Sequence, residues 1–357
     1  MFPRRILISV YHISGYLMAE VASLIDCGAE VAIIEYPCGF SRVAHQSFMT
    51  IKWIDRATVR NVKGVLESLN GWSPDTILCC GWDDKLARKV AKYFRRRGAT
   101  TVVGVDNPWE RSLRQIAHCI ISRFYLTHIF DFGWGAGAPQ TRYLRFLGFS
   151  KDRIKKGFYA ADTEKFLSLT HENKGPWPHS FIYVGRYAAE KNMRRMERGF
   201  LKALKSMPES DWKLCCIGDG ELWEERTIHP CIKHLGYKLP SELQDFVRES
   251  GCFVLASTNE HWGVVVHEFA LMGLPLICSR RVMSVTDFLL EGENGFLFNP
   301  YDEDDIAEAF CAIMRMQDDA LSRMGRKSRE LGMRLTTNDW AERLLLMRTE
   351  LLAHESC

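Results

Sequence analysis

The stretch "NEHWGVVVHEFALMGLP", Asn259 to Pro275, decides how this chain is read. Its apolar run closes on Gly-Leu-Pro, so the pattern predicts a buried helix that begins near Gly263 and stops before Pro275. Two glutamates, Glu260 at its mouth and Glu268 within it, stand eight positions apart. A carboxylate in apolar surroundings needs a partner, because an unpaired buried charge is expensive.

Outward from that helix, "CFVLAS" (252–257) before it and "LPLICS" (274–279) after it read as strands. So do "FIYVG" (181–185), "KLCCIG" (213–218) and "GFLFN" (295–299), with helical patterns such as "SELQDFVRES" between. A second alternating series fills the first half. Its strands are "RILISVY" (4–10), "EVAIIEY" (30–36), "TILCCGW" (76–82), "TTVVGVD" (100–106) and "THIFDFG" (127–133), and its helices include "DDKLARKVAKYFRRRG" and "WERSLRQIAHCIISRF". Continuous apolar strands alternating with helices mean parallel sheets covered on both faces. The polar stretch "LSLTHENKGPWPHS" (167–180) separates the series and reads as a linker. The expected architecture is α/β, with two doubly wound, Rossmann-like domains, 1–166 and 181–335. Residues 336–357 are expected to form a helix that packs back on the first domain. Ligands of such sheets sit beyond the carboxyl ends of the strands, so the cleft between the domains is the expected site.

Composition narrows the classes. A chain of 357 residues suits two domains, and 46% apolar with 25% charged residues is ordinary for a soluble globular protein. A net charge of +3 is too small to argue for nucleic acid. The twelve cysteines include the neighbours Cys79-Cys80 and Cys215-Cys216 and form no C-x-x-C pair. They read as small packing residues in a reducing compartment. The first apolar run ends at Tyr11-His12, too soon for a secretory signal, and no stretch nears the ~18 apolar residues of a membrane span. The expected location is the cytoplasm. The basic helix with Lys85, Arg88, Lys92 and Arg95 to Arg97 is either a solvated face or a peripheral contact with the anionic inner face of a membrane.

Three features follow strand ends in the second half: "VGRYAAEKN" (184–192), "IGDGE" (217–221) and the deciding stretch itself. The first amides of the helix, around Gly263, Val264 and Val265, form an anion site, and glycine removes the side chain that would fend off a phosphate. Arg186 and Lys191 add positive charge, a metal-free way to hold a diphosphate as charge grows on a leaving group. Glu260 and Glu268 then flank the phosphates. Each carboxylate accepts from a pair of hydroxyls, which describes a nucleotide sugar.

These elements resemble the retaining GT-B glycosyltransferases of the large family 4, or glycosyl transferases group 1. "EHWGVVVHE" stands for the family's E-x7-E, "GRYAAEKN" for its G-R-x-x-x-E-K, and "EGENGFLFNPYDEDDIAEAF" for its later glycine-containing strand and helix. "FLGFSKDRIKKGFYAADTEKF" (146–166) resembles the approach to the interdomain linker. The resemblance implies that Arg186 and Lys191 bind the diphosphate, Glu260 the transferred sugar and Glu268 the ribose. Gly185, Trp262, Gly263, Val264 and Val265 would line the donor site, and Lys233, His234 and Leu235 the side of the base. No metal or other cofactor is implied. The donor would carry UDP first and GDP second, and a hexose or N-acetylhexosamine would pass with retention to a saccharide or lipid-linked acceptor, in polysaccharide or glycoconjugate synthesis. The alternatives are a GT-B-like nucleotide-sugar epimerase and an inactive homologue that binds the nucleotide sugar.

The first half departs from the family pattern. Where members often carry a histidine, "VVGVDNPWE" (102–110) has Asp106. Asp106 either substitutes as acceptor or weak base, or caps a helix beginning near Pro108. His12 in the first loop is a second candidate, and Gly15 stands there without the family's paired glycine. Trp134 either stacks on a sugar or packs at its glycine-rich turn. The acidic run "YDEDDIAEA" reads as a first helical turn meeting the helix dipole, not as a metal site.

Overall fold

The apolar runs become strands of two parallel sheets in the computed structural model, which describes residues 4–36, 47–169, 175–239 and 242–355. The chain divides into one unit of Met1–Asp162 with Leu335–Cys357 and another of Thr163–Arg334.

The sheet of the first unit runs β3-β2-β1-β4-β5-β6-β7. Its strands are β1 (Arg5–Ser9), β2 (Glu30–Glu35), β3 (Lys52–Asp55), β4 (Thr76–Cys79), β5 (Thr100–Val105), β6 (Phe132–Gly135) and β7 (Ile154–Lys156). All neighbours are parallel. The connections turn one way from β1 to β3 and the other way from β4 onward, so the chain's direction switches between β1 and β4. Two edge strands, β3 and β7, escape a reading based on apolar runs, since "KWID" and "IKK" carry exposed lysines. The strand expected over 127–133 lies further on. Leu126–His128 is a 3-10 turn, and Asp131 fixes where β6 begins by accepting from Arg95 Nε at 2.8 Å and Thr101 N at 2.9 Å. The last helix, Thr337–Glu355, packs on the helix Gly15–Asp26 of the same unit. Trp340 donates to Phe158 O at 2.7 Å and stacks on Trp134 at 4.9 Å. Trp134 is fully buried and packs; it has no face for a sugar.

The sheet of the second unit runs β10-β9-β8-β11-β12-β13. Its strands are β8 (Ser180–Val184), β9 (Lys213–Ile217), β10 (Ile232–His234), β11 (Cys252–Leu255), β12 (Leu276–Ser279) and β13 (Gly295–Phe298), all parallel. Here the switch falls between β8 and β11. Of the stretch 167–180 read as a linker, 170–174 lies outside the described residues. Its later part packs within the second unit. Trp177 is buried, donates from its ring to Gly251 O at 2.8 Å and from its backbone to Asp318 Oδ2 at 2.9 Å. The acidic run forms the first turn of the helix Glu303–Met314, where Asp302 accepts from Asp304 N and Asp305 N.

The deciding stretch folds into the helix Val264–Met272, buried along most of its length. Gly273 ends it at φ 80, with Gly273 N bonded to Ala270 O and Leu274 N bonded to Phe269 O. That left-handed cap consumes the last carbonyls, and Pro275 cannot extend the helix.

Candidate functional site

The two strands at the switch point of the second sheet each release a loop, and the loops are stitched together. After β8, Gly185 N donates to Ile217 O at 3.0 Å and the chain runs through Arg186 to Asn192. After β11 come Ser257 to Gly263. Thr258 N donates to Glu190 O at 2.8 Å, and Asn192 Nδ2 reaches Ala256 O at 3.1 Å. The strongest link is ionic: Lys191 Nζ sits on Glu260 Oε2, with side chains only 16% and 18% exposed. Ser257 Oγ donates to the same Glu260 oxygen at 3.3 Å, which leaves Oε1 to accept elsewhere. Arg186 is exposed and pairs with Glu190 at 2.9 Å. Both cations therefore arrive beside a carboxylate.

Gly263 is the N-cap, at φ 88 and ψ 70. A side chain there would be strained, and its Cβ would lie 2.9 Å from Glu260 Cγ. The carbonyl of Gly263 accepts from Ser284 Oγ at 3.0 Å and from Val266 N at 3.1 Å. Val264 and Val265 are the first helical residues, half-buried, with amides that no intrahelical carbonyl can reach. Glu268 is half-buried on the same helix. Trp262 is different from the expectation. Its side chain is buried against Phe288, and its ring N–H has no acceptor among the described residues. Its indole belongs to the core, and what it offers the loop is its carbonyl, which takes Ser284 N at 3.0 Å.

On the far side, β10 carries Lys233 and His234. Lys233 is exposed, whereas both ring nitrogens of His234 are engaged, Nδ1 with Tyr187 Oη at 2.8 Å and Nε2 with Thr227 O at 2.9 Å. Leu235 N donates to Cys216 O at 3.0 Å, so its amide serves the sheet. A base received at this edge would meet carbonyls and Lys233, not the imidazole. Tyr187, which sequence reasoning missed, braces the region by packing on Trp223 and His234. Gly218 lets the loops approach: a Cβ there would lie 1.8 Å from Gly185 O.

In the first unit the candidates lie past β1 and β5. His12 is exposed. Gly15 opens the helix Gly15–Asp26, whose cap Ser14 accepts from Leu17 N at 3.3 Å. Asp106 is half-buried and caps no helix, since the next helix starts at Leu113 behind Ser112. Instead Tyr159 Oη donates to Asp106 Oδ2 at 3.4 Å, and Gln140 Nε2 donates to Asp106 O at 2.9 Å. Tyr16 packs edge-on against Tyr159 at 5.3 Å, and burial pushes its phenol up to about 12. Burial likewise holds the fully buried Glu20 well above an ordinary glutamate, although it accepts Ala160 N at 2.7 Å. Tyr16, Glu20 and Tyr159 were not singled out from sequence. The four-residue spacing of Tyr16 and Glu20 on one helix face was the available signal.

Residues 178–316 match the family described as glycosyl transferases group 1. A UDP-N-acetylglucosamine–peptide N-acetylglucosaminyltransferase GtfA subunit of Streptococcus pneumoniae is 29% identical over 41% of this chain, and the match covers 30% of that relative's length. Two solved structures align with 99% of this chain and 99% of their own. One is a glycosyltransferase from Rickettsia africae, at TM-score 0.74 and 13% identity. The other is Anabaena Alr3699/HepE in complex with UDP, at TM-score 0.71 and 11% identity. The fold is GT-B.

Proposed function

Residues 178–316 match the family of glycosyl transferases group 1, and from that match we propose that the chain transfers a hexose or N-acetylhexosamine from a nucleotide diphosphate sugar to a saccharide or lipid-linked acceptor. The observation that carries the reading is the Lys191–Glu260 pair set against the glycine-capped start of the helix Val264–Met272. The amides of Val264 and Val265 point at a bound diphosphate, and the helix dipole favours its charge. Lysine has three donors, so Lys191 can hold Glu260 with one and a phosphate oxygen with another. Arg186 has five and does the same beside Glu190. Each cation thus bridges a carboxylate and the leaving group, and Glu260 Oε1 remains for a sugar hydroxyl.

As the glycosidic bond to phosphate breaks, negative charge grows where these donors converge, without a metal ion. Departure and attack on one face retain the anomeric configuration, with the phosphate oxygen taking the acceptor's proton. Glu268 grips the ribose. Asp106 with Tyr159 is the polar pair the first unit offers to the transferred sugar, with exposed His12 as the second candidate. UDP is the first choice of nucleotide, supported by the UDP named for two of the proteins this chain is similar to. GDP is the second. The product would enter cell-surface polysaccharide or glycoconjugate synthesis in the cytoplasm, with peripheral membrane contact.

A thermal-shift panel of UDP, GDP, ADP and dTDP, with magnesium or with EDTA, tests this. A ligand present at a hundred times its Kd stabilises by about 2.7 kcal/mol. The expected result is a selective rise with UDP that survives EDTA. No rise with any nucleotide, or strict dependence on magnesium, contradicts the reading. An epimerase is distinguished by product: it alters the sugar of the donor without releasing nucleotide.

A further inference from the structure

Two neighbouring helices of the first unit are amphipathic in opposite senses. The basic helix Lys85–Arg95 buries Leu86, Ala87, Val90, Ala91 and Phe94 in the core, and its exposed residues, Lys85, Lys89 and Lys92, are all lysines. The helix Leu113–Ser122 is inverted. Leu113 is 85% exposed, Ile120 63%, Ile121 61% and the following Phe124 75%, with Ile116 also exposed. These positions follow the spacing of a single helical face. Its uncharged polar residues turn inward: Gln115 Nε2 donates to Pro108 O at 2.8 Å, His118 packs by Trp82, and Ser122 is fully buried.

An exposed apolar stripe of this size marks a contact surface. Charge selects the partner. Arg111, Arg114 and Arg123 are exposed around the stripe, and no acidic residue occurs between Glu110 and Asp131. Arg88 of the basic helix lies over the ring of Tyr125 at 5.9 Å, so the cationic field continues onto that helix. A second copy docking on this face would set arginine against arginine; anionic lipid headgroups complement it. No helix among the described residues is long and apolar enough to cross a membrane, so the stripe suits shallow burial at the interface.

We propose that the segment from Arg111 to Phe124 docks this protein on an anionic lipid surface. The apolar stripe enters the headgroup boundary, the three arginines hold lipid phosphates, and the basic helix adds long-range attraction. The expected membrane contact thus moves from the basic helix to its neighbour. The inference does not depend on the transfer reaction.

The test is sedimentation of the purified full chain with phosphatidylcholine vesicles, with and without phosphatidylglycerol. The wild type should pellet with the anionic vesicles, and less so at high salt. Ile120→Ser with Phe124→Ser should weaken binding about tenfold or more at an unchanged thermal transition, because both side chains are exposed. Arg114→Ser with Arg123→Ser should remove the preference for anionic lipid. Absence of binding by the wild type, or pelleting of the Ile120→Ser/Phe124→Ser chain as wild type, overturns the proposal. So does a wild-type dimer that this double substitution turns to monomer, which assigns the face to a second copy.

Discussion

Past the strand ends of the second unit the chain presents ion pairs and helix amides, whereas past those of the first unit it presents a carboxylate tied to a half-buried tyrosine. Both sheets are parallel and both switch direction beside their first strand. On the proposed function, the difference lies in what each loop would hold. A diphosphate, the ligand proposed for the second unit, calls for donors and positive charge, and glycines, cations and a helix start gather at Gly185–Lys191 and Gly263–Val265. A neutral sugar calls for a few oriented acceptors and donors, the role proposed for Asp106 and Tyr159. One constellation is held by ion pairs and a helix start, the other by a hydrogen bond between two half-buried side chains.

The largest expected effect falls on the first of these. Lys191→Met should lower kcat by about 10²–10³-fold, the loss usual for one donor to a developing anion. It also leaves Glu260 uncompensated, at roughly 3 kcal/mol, the low end for a broken buried pair. Adding Glu260→Leu should recover stability in urea titrations but no activity. Recovery of activity would reduce the pair to a structural tie. Next, Asp106→Asn should cost about tenfold in kcat, less than an essential general base would. Tyr159→Phe should follow in the same direction, read from initial rates at saturating donor. An unchanged rate in both variants would leave only His12 as the first unit's candidate.

A smaller effect concerns the burial of Glu20. Its folded-state pKa is raised, so its contribution is fully present below the ordinary glutamate range and is lost as pH rises towards the folded value. The wild type should therefore lose stability relative to Glu20→Gln across that rise, measured by urea unfolding at several pH values. Parallel curves would contradict the assignment. The smallest effect belongs to Gly15→Ala. Nothing lies within 4 Å of a Cβ there, so stability should change by less than about 0.5 kcal/mol in the same assay.

This contrast also explains what the residues reveal before folding. The second unit's site is local: Gly263, the two glutamates and the apolar run lie on one continuous segment, and helix-start chemistry can be read from it. Strands buried on both faces were equally legible. Trp262 and His234 were not, because an indole turned into the core and an imidazole spent on Tyr187 and Thr227 depend on contacts distant in sequence. The same holds for Asp106, whose partner Tyr159 is 53 residues away. Edge strands β3 and β7 were missed because one side of each is free, so polar residues are tolerated there.

The central claim is that Lys191 and the amides after Gly263 hold a nucleotide diphosphate. Calorimetric titration of UDP into the wild type and Lys191→Met, both in EDTA, tests it most directly. The account predicts saturable binding to the wild type and an affinity at least about tenfold lower in the variant, since a charged hydrogen bond contributes about 1.5–3 kcal/mol. Equal affinities, with the variant still folded, would contradict it.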